Sequence, residues 1–130
     1  MADMSIEQII KKHFADNPVP GINSPEEFAS HLNTLLQRDY KMIHSGNCLF
    51  VYKEIGNGIV EVDVLEGSDS EKDYLHNIFK GLLQLRQEGY KEANILFNNK
   101  AAVKTFKNLP IFPVSVKQVA DGYVAKVRVA

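Results

Sequence analysis

The sequence predicts one mixed α/β (α+β) domain over residues 1–130, with a mixed central sheet and helices on both faces. Three observations carry that expectation. First, Ile59-Val60-Glu61-Val62-Asp63-Val64-Leu65 alternates apolar and polar, an amphipathic helix runs from Glu71 to Glu88, and a second strand runs from Ala93 to Phe97. Two parallel strands joined by a helix form a right-handed βαβ crossover, which needs further strands beside it to bury its faces. Second, three segments of strand character, Lys41–His44, Cys48–Ile55 and Ile59–Leu65, are separated only by Ser45-Gly46-Asn47 and Gly56-Asn57-Gly58. Separators this short, and rich in residues that tolerate positive φ, make hairpins, so the three strands form an antiparallel meander. Third, 130 residues suffice to bury roughly two thirds of the unfolded surface in one core.

The remaining elements follow in order. Ser5-Ile6-Glu7-Gln8 has the form of a capping box, and Ile6, Ile9, Ile10, His13 and Phe14 then share one face of a helix ending near Ala15. Pro18 to Asn23, with two prolines and a glycine, is a loop. Ser24 caps a second helix with Pro25 at its first position and Glu27 closing the box; Phe28, Leu32, Leu35 and Leu36 form its buried stripe, and it ends near Arg38 to Tyr40. The long helix turns Leu75, Ile78, Phe79, Leu82 and Leu85 inward and Lys72, His76, Lys80, Gln84 and Gln87 outward, and Gly89 stops it. Asn98-Asn99 opens a short helix over Ala101–Phe106, and a hairpin of Pro113–Gln118 and Tyr123–Val129, turning at Asp121-Gly122, closes the chain.

Charge and composition narrow the function classes. Fifteen basic and 16 acidic residues leave a net charge of −1, so no global field draws the chain to nucleic acid or an anionic membrane. The lone Cys48 makes no internal disulfide and reads as a small buried side chain. His13, His31, His44 and His76 are scattered over four elements without ligand spacing, so no metal site is expected. Met1-Ala2-Asp3-Met4-Ser5 carries acid where a signal peptide needs base, and the expected location is cytoplasmic. Lys100, Lys104 and Lys107 recur at helical spacing as a solvated face, or as cations for a phosphate.

The order helix, helix, three antiparallel strands, loop, helix, strand, helix, hairpin resembles the GNAT superfamily of acetyl-CoA-dependent N-acetyltransferases, without the family's usual first strand. At motif level the resemblance covers about Ile59 to Phe112. Its most specific point is Asn99-x-x-Ala102-Val103-x-x-Phe106, which looks like the family's spacing on the helix after the fifth strand. The resemblance implies acetyl-CoA as cofactor, gripped by the loop and helix start Gly67, Ser68, Asp69, Ser70 and Glu71, with Asn98 and Asn99 beside the pantetheine arm. It also places Glu61 and Asp63 on the face beside the acyl group, where either would serve as base. Those two acids are equally the polar half of an alternating strand, and the asparagines equally an N-cap.

Two departures set this chain apart. The family's loop is glycine-rich and starts with Gln or Arg, whereas Glu66-Gly67-Ser68-Asp69-Ser70-Glu71 has one glycine and three carboxylates. A carboxylate about 5 Å from a phosphate costs ~1 kcal/mol in water and ~3 kcal/mol at an effective dielectric of about 20. The same loop is well made for capping, by Ser68 with Glu71 or by Ser70 with Asp73. Phe106 stands where many members place a tyrosine that protonates the leaving thiolate, and the family's following Gly-Phe is replaced by Pro110-Ile111. The expectation is a GNAT-fold protein with impaired or lost acetyltransferase activity, acting as a binding or structural component; the alternative is an active acyl-CoA-dependent N-acetyltransferase. Short proteins of this degenerate kind are similar to ones carried by tailed phages, one family of which is associated with internal virion proteins. That implies a protein partner, a virion assembly or a homo-oligomer, in host cytoplasm or virion, and neither nucleic acid nor membrane.

Overall fold

A computed structural model describes residues 4–17, 19–68 and 70–130. Expectations on Met1 to Asp3, on Pro18 and on Asp69 lie outside the described residues. The elements run α1 (Ile6–Asp16), α2 (Pro25–Leu36), β1 (Lys41–Ser45), β2 (Cys48–Gly56), β3 (Ile59–Glu66), α3 (Glu71–Gln87), β4 (Glu92–Phe97), α4 (Ala102–Lys107), β5 (Val114–Val119) and β6 (Gly122–Arg128). The sheet order is β1-β2-β3-β4-β6-β5; β3 and β4 are parallel and every other pair is antiparallel. Both the meander and the crossover are therefore present, in one α+β domain.

Parity along the strands divides the core in two. Cys48, Phe50, Tyr52, Val60, Val62, Ala93, Ile95, Ala125 and Val127 point toward α3 and α4 and join Ile78, Leu82, Leu85 and Phe106 in the larger cluster. Leu49, Val51 and Leu65 point the other way and meet Ile9, Ile10 and Leu32 of α1 and α2. That is why Cys48 to Tyr52 is an unbroken apolar run: β2 is covered on both sides. The α1/α2 layer reaches only the far end of β3, so Leu65 is buried while Glu61 and Asp63, on the same face, are open.

The ends of the helices hold as drawn with a few refinements, among them that α2 stops at Leu36, short of the expected Arg38 to Tyr40. Ser5 and Gln8 form the complete capping box, and Ser24 Oγ accepts from the Glu27 amide. The Glu27 carboxylate reaches one residue further back, to the Asn23 N–H, so the second box is open at Ser24. On α3 the cap is Ser70, whose Oγ accepts from the Asp73 amide; Ser68 is used elsewhere. Gly89, at φ +94, ends α3 with paired bonds from its own N–H to Arg86 O and from Tyr90 N–H to Leu85 O, the Schellman arrangement. The buried stripe of α3 is rotated from the expected one: Tyr74, Asn77 and Gly81 are buried with Ile78, Leu82 and Leu85, while Leu75 and Phe79 are half-buried. Of the α2 stripe only Leu32 is buried.

Gly81 explains the rotation. Its missing side chain admits the Phe50 ring directly against the helix, and an added methyl would overlap that ring. After α4, Ile111 takes φ +72 in a tight turn closed by the Phe112 N–H on Pro110 O, which seats Phe112 against Phe79. No helix among the described residues is long and apolar enough to cross a membrane.

Gly81→Ala is expected to destabilise the fold. Helix propensity favours alanine by about 1 kcal/mol, but overpacking a fully buried ring costs about 1–3 kcal/mol, and the ring has nowhere to move. Urea unfolding checks this; unchanged or increased stability would contradict the close approach of α3 to β2.

Candidate functional site

The one parallel pair also creates a large concavity. Register between β3 and β4 ends at Asp63 opposite Leu96. Beyond it Val64 to Glu66 stay with β2, whereas Phe97 pairs with Tyr123 on β6. The strands part, and a cleft of about 1230 Å³ opens at their C-terminal ends, bounded by α1 and α2 on one side and the β5–β6 turn on the other. Open ends of parallel strands are a common place for ligands in α/β sheets.

The expected site residues divide around this cleft. Asp63, Asn98 and Asn99 line it; Glu61 shares the Asp63 face, outside the lining, with Lys53 as its cross-strand partner. Gly67, Ser68, Ser70 and Glu71 are not in the lining either. Asn99 Oδ1 accepts from the Ala101 N–H in the turn before α4; the expected asparagine N-cap is not formed, because the N-cap position falls to Ala101, whose side chain makes no capping bond.

The loop after β3 is bound up internally. The Glu66 N–H donates to His13 Nδ1 at 3.1 Å, and the Gly67 N–H to Asn47 O at 2.8 Å. Lys12 Nζ donates to the Gly67 and Ser68 carbonyls at 3.0 and 3.2 Å. Ser68 Oγ accepts from Asn77 Nδ2 at 3.1 Å and lies 3.3 Å from Cys48 Sγ. A side chain at Gly67 would come within 2.8 Å of Asn47 O, so glycine is required there for closeness to the β1–β2 turn. The Asp73 amide belongs to Ser70. Cys48 is buried as expected, and desolvation pushes its thiol up to about 11.

Electrostatics in the cleft follow from its shape. Asp63 reaches solvent, yet the walls withdraw water from its carboxyl and Glu61 lies beside it, so its pKa is raised. Glu66 is raised by burial; Lys12 opposes that and Asp16 adds to it. Burial dominates His13, whose pKa is lowered although Asp16 pulls it up; the neutral ring is what allows Nδ1 to accept from Glu66. Tyr74, 6% exposed, lines the cleft with its ring edge-on to Phe106, and desolvation, with Glu66 and Cys48 nearby, holds its phenol well above the usual range. Phe106 is fully buried, 4.7 Å from the Phe97 ring centroid. On the same sheet face as Asp63, Asn94 Oδ1 is buried without a hydrogen-bond partner.

His13, Glu66 and Tyr74 were not among the expected site residues. Tyr74 had a readable signal, since positions 74, 78, 82 and 85 repeat at helical spacing; the others depend on α1 folding back across β3. Among the described residues no group of three His, Cys, Asp or Glu side chains is placed to hold a metal ion. Compared with known proteins, the chain matches no family model and no curated protein.

The lowered His13 sets a pH dependence. The unfolded chain takes up this proton more readily than the folded one, so its contribution to stability is whole above about pH 6.5 and is lost as pH falls toward the folded value. Asp63 and Glu66, raised in the fold, act with opposite sign and only nearer the carboxylate range. The thermal midpoint is therefore expected to drop as pH is lowered from about 7.5 to about 5.5, across the ordinary histidine range, and His13→Asn, which keeps an acceptor but not the titration, should flatten the slope. An identical slope in the variant would remove His13 from this role.

Proposed function

We propose that this chain is a protein of the N-acetyltransferase (GNAT) fold that has lost its grip on acyl-CoA and works as a binding or structural component. The order of elements, the sheet order with its central parallel pair and the cleft where that pair divides all support the fold assignment. The observation that carries the function is the closed loop: the Glu66 and Gly67 amides, which a pyrophosphate would need, already donate to His13 and Asn47. Helix N-termini and loop amides bind phosphate only when those N–H groups point outward and free. Freeing two of them means breaking two internal hydrogen bonds, each worth about 1 kcal/mol, and then placing the phosphates beside Glu66 and Glu71. Phe106, packed among rings and without a proton to give, supplies no general acid. A phage particle or its host cytoplasm is the setting proposed, on the resemblance alone.

One observation favours the competing reading, a working N-acyltransferase. Asp63 lines the cleft with a raised pKa, which suits a base for an ammonium substrate. Calorimetric titration with acetyl-CoA and with CoA separates the two. The expected result is no binding up to about 1 mM; micromolar binding that survives moderate salt would overturn the proposal and restore the enzyme.

A further inference from the structure

The cleft has a composition opposite to that of an anion site. Asp16, Asp63, Glu66 and Asp121 line it, and no lysine or arginine is among its described lining residues. Lys12 draws on Glu66 from outside, but its Nζ is held on the Gly67 and Ser68 carbonyls. A second feature is independent of these acids. Tyr74 is 6% exposed and lines the cleft, and its hydroxyl makes no hydrogen bond to any described residue. That hydroxyl is not among the fully enclosed polar atoms without partners, so its free side faces the cleft. A phenol oxygen that opens onto the cleft and has no partner among the described residues is placed to accept from an incoming donor.

We infer that this cleft docks a basic segment of a partner protein, taking an arginine or lysine side chain with the Asp63 and Glu66 carboxylates and the Tyr74 hydroxyl as its acceptors. The proposal rests on the reading of the chain as a binding component and names the chemistry of the partner. Charge complementarity selects a cation, and the apolar wall of Phe28, Leu96 and Phe97 takes the aliphatic stem and the apolar residues on either side of it. Size selects a chain segment over a small amine: about 1230 Å³ exceeds the roughly 300–1,000 Å³ of most small-ligand pockets. Carboxylates short of water gain most from a bidentate or multiply donating cation, so the fit favours arginine.

The test is fluorescence anisotropy of the full chain with a labelled peptide alternating leucine and arginine, its leucine–glutamate counterpart, and unlabelled arginine amide and acetyl-CoA as competitors. The arginine peptide is expected to bind and the glutamate peptide not. Asp63→Asn and Glu66→Gln should each weaken binding roughly tenfold or more and Tyr74→Phe severalfold, in variants whose circular dichroism is unchanged, with Glu88→Gln as a neutral control on the far end of α3. Equal binding of both peptides, or equal loss in Glu88→Gln, would overturn the inference by showing nonspecific attraction. Competition by arginine amide at the peptide's own affinity would overturn it in favour of a small-amine site. Displacement by acetyl-CoA would overturn the loss of cofactor grip itself, whereas failure of both peptide and acetyl-CoA to bind leaves that reading standing and removes only this one.

Discussion

The contact between the Phe50 ring and the bare backbone of α3 at Gly81 is the constraint on which the rest of the structure depends. It draws the crossover helix onto β1 and β2 and so fixes which side chains of α3 are inside. Tyr74, one and a half to two turns before Gly81, is thereby turned toward the end of β3, and Asn77 is set against the β1–β2 turn. Asn77 then organises its surroundings: its backbone oxygen accepts from Ser45 Oγ, and its side-chain amide donates to Ser68 Oγ. A buried polar side chain is tolerable only when so satisfied.

The loop after β3 inherits its shape from this arrangement. Ser68 is fastened to Asn77, Gly67 to Asn47, and Glu66 to His13, so each of the first three residues after Leu65 is tied to a different element. A loop held on three sides spends the Glu66 and Gly67 amides, and the Gly67 and Ser68 carbonyls, inside the protein. The acids near the start of α3 fit the same pattern: Glu71 and Asp73 complement the helix dipole.

The cleft is the other consequence of the crossover. A parallel pair flanked by antiparallel neighbours has to divide once each strand follows its own partner, and here the division falls after Asp63 and Leu96. Parity then decides the chemistry: Asp63 faces the side that α1 and α2 leave partly uncovered, and the acids of α1 and the β5–β6 turn complete an electronegative rim. The walls raise the carboxyl pKa values because they remove water, and neighbouring acids add to the rise, more than Lys12 offsets it at Glu66.

Period and punctuation were legible in the sequence. Alternation at Ile59–Leu65, the glycine and asparagine hairpin turns, the serine caps and Gly89 each depend on neighbours a few residues away, so the element order, the meander and the crossover could be read without coordinates. The faces of the longer helices were harder: Leu75 outranks Tyr74 on hydrophobicity, and only the approach of Phe50 to Gly81 decides between them. Asp63 could be placed on a strand face by parity, but its separation from Glu61, with one lining the cleft and one outside it, required knowing how far α1 and α2 extend along β3. The loop residues Gly67 to Glu71 carried a cofactor signal and a capping signal together, and which of the loop's groups are bonded internally turned on His13, Asn47 and Asn77, between 9 and 53 residues away from the groups they bind. Local chemistry determined the elements and their ends; tertiary packing decided which hydrogen-bonding groups were spent inside the fold and which face the cleft, because that depends on partners distant in the chain.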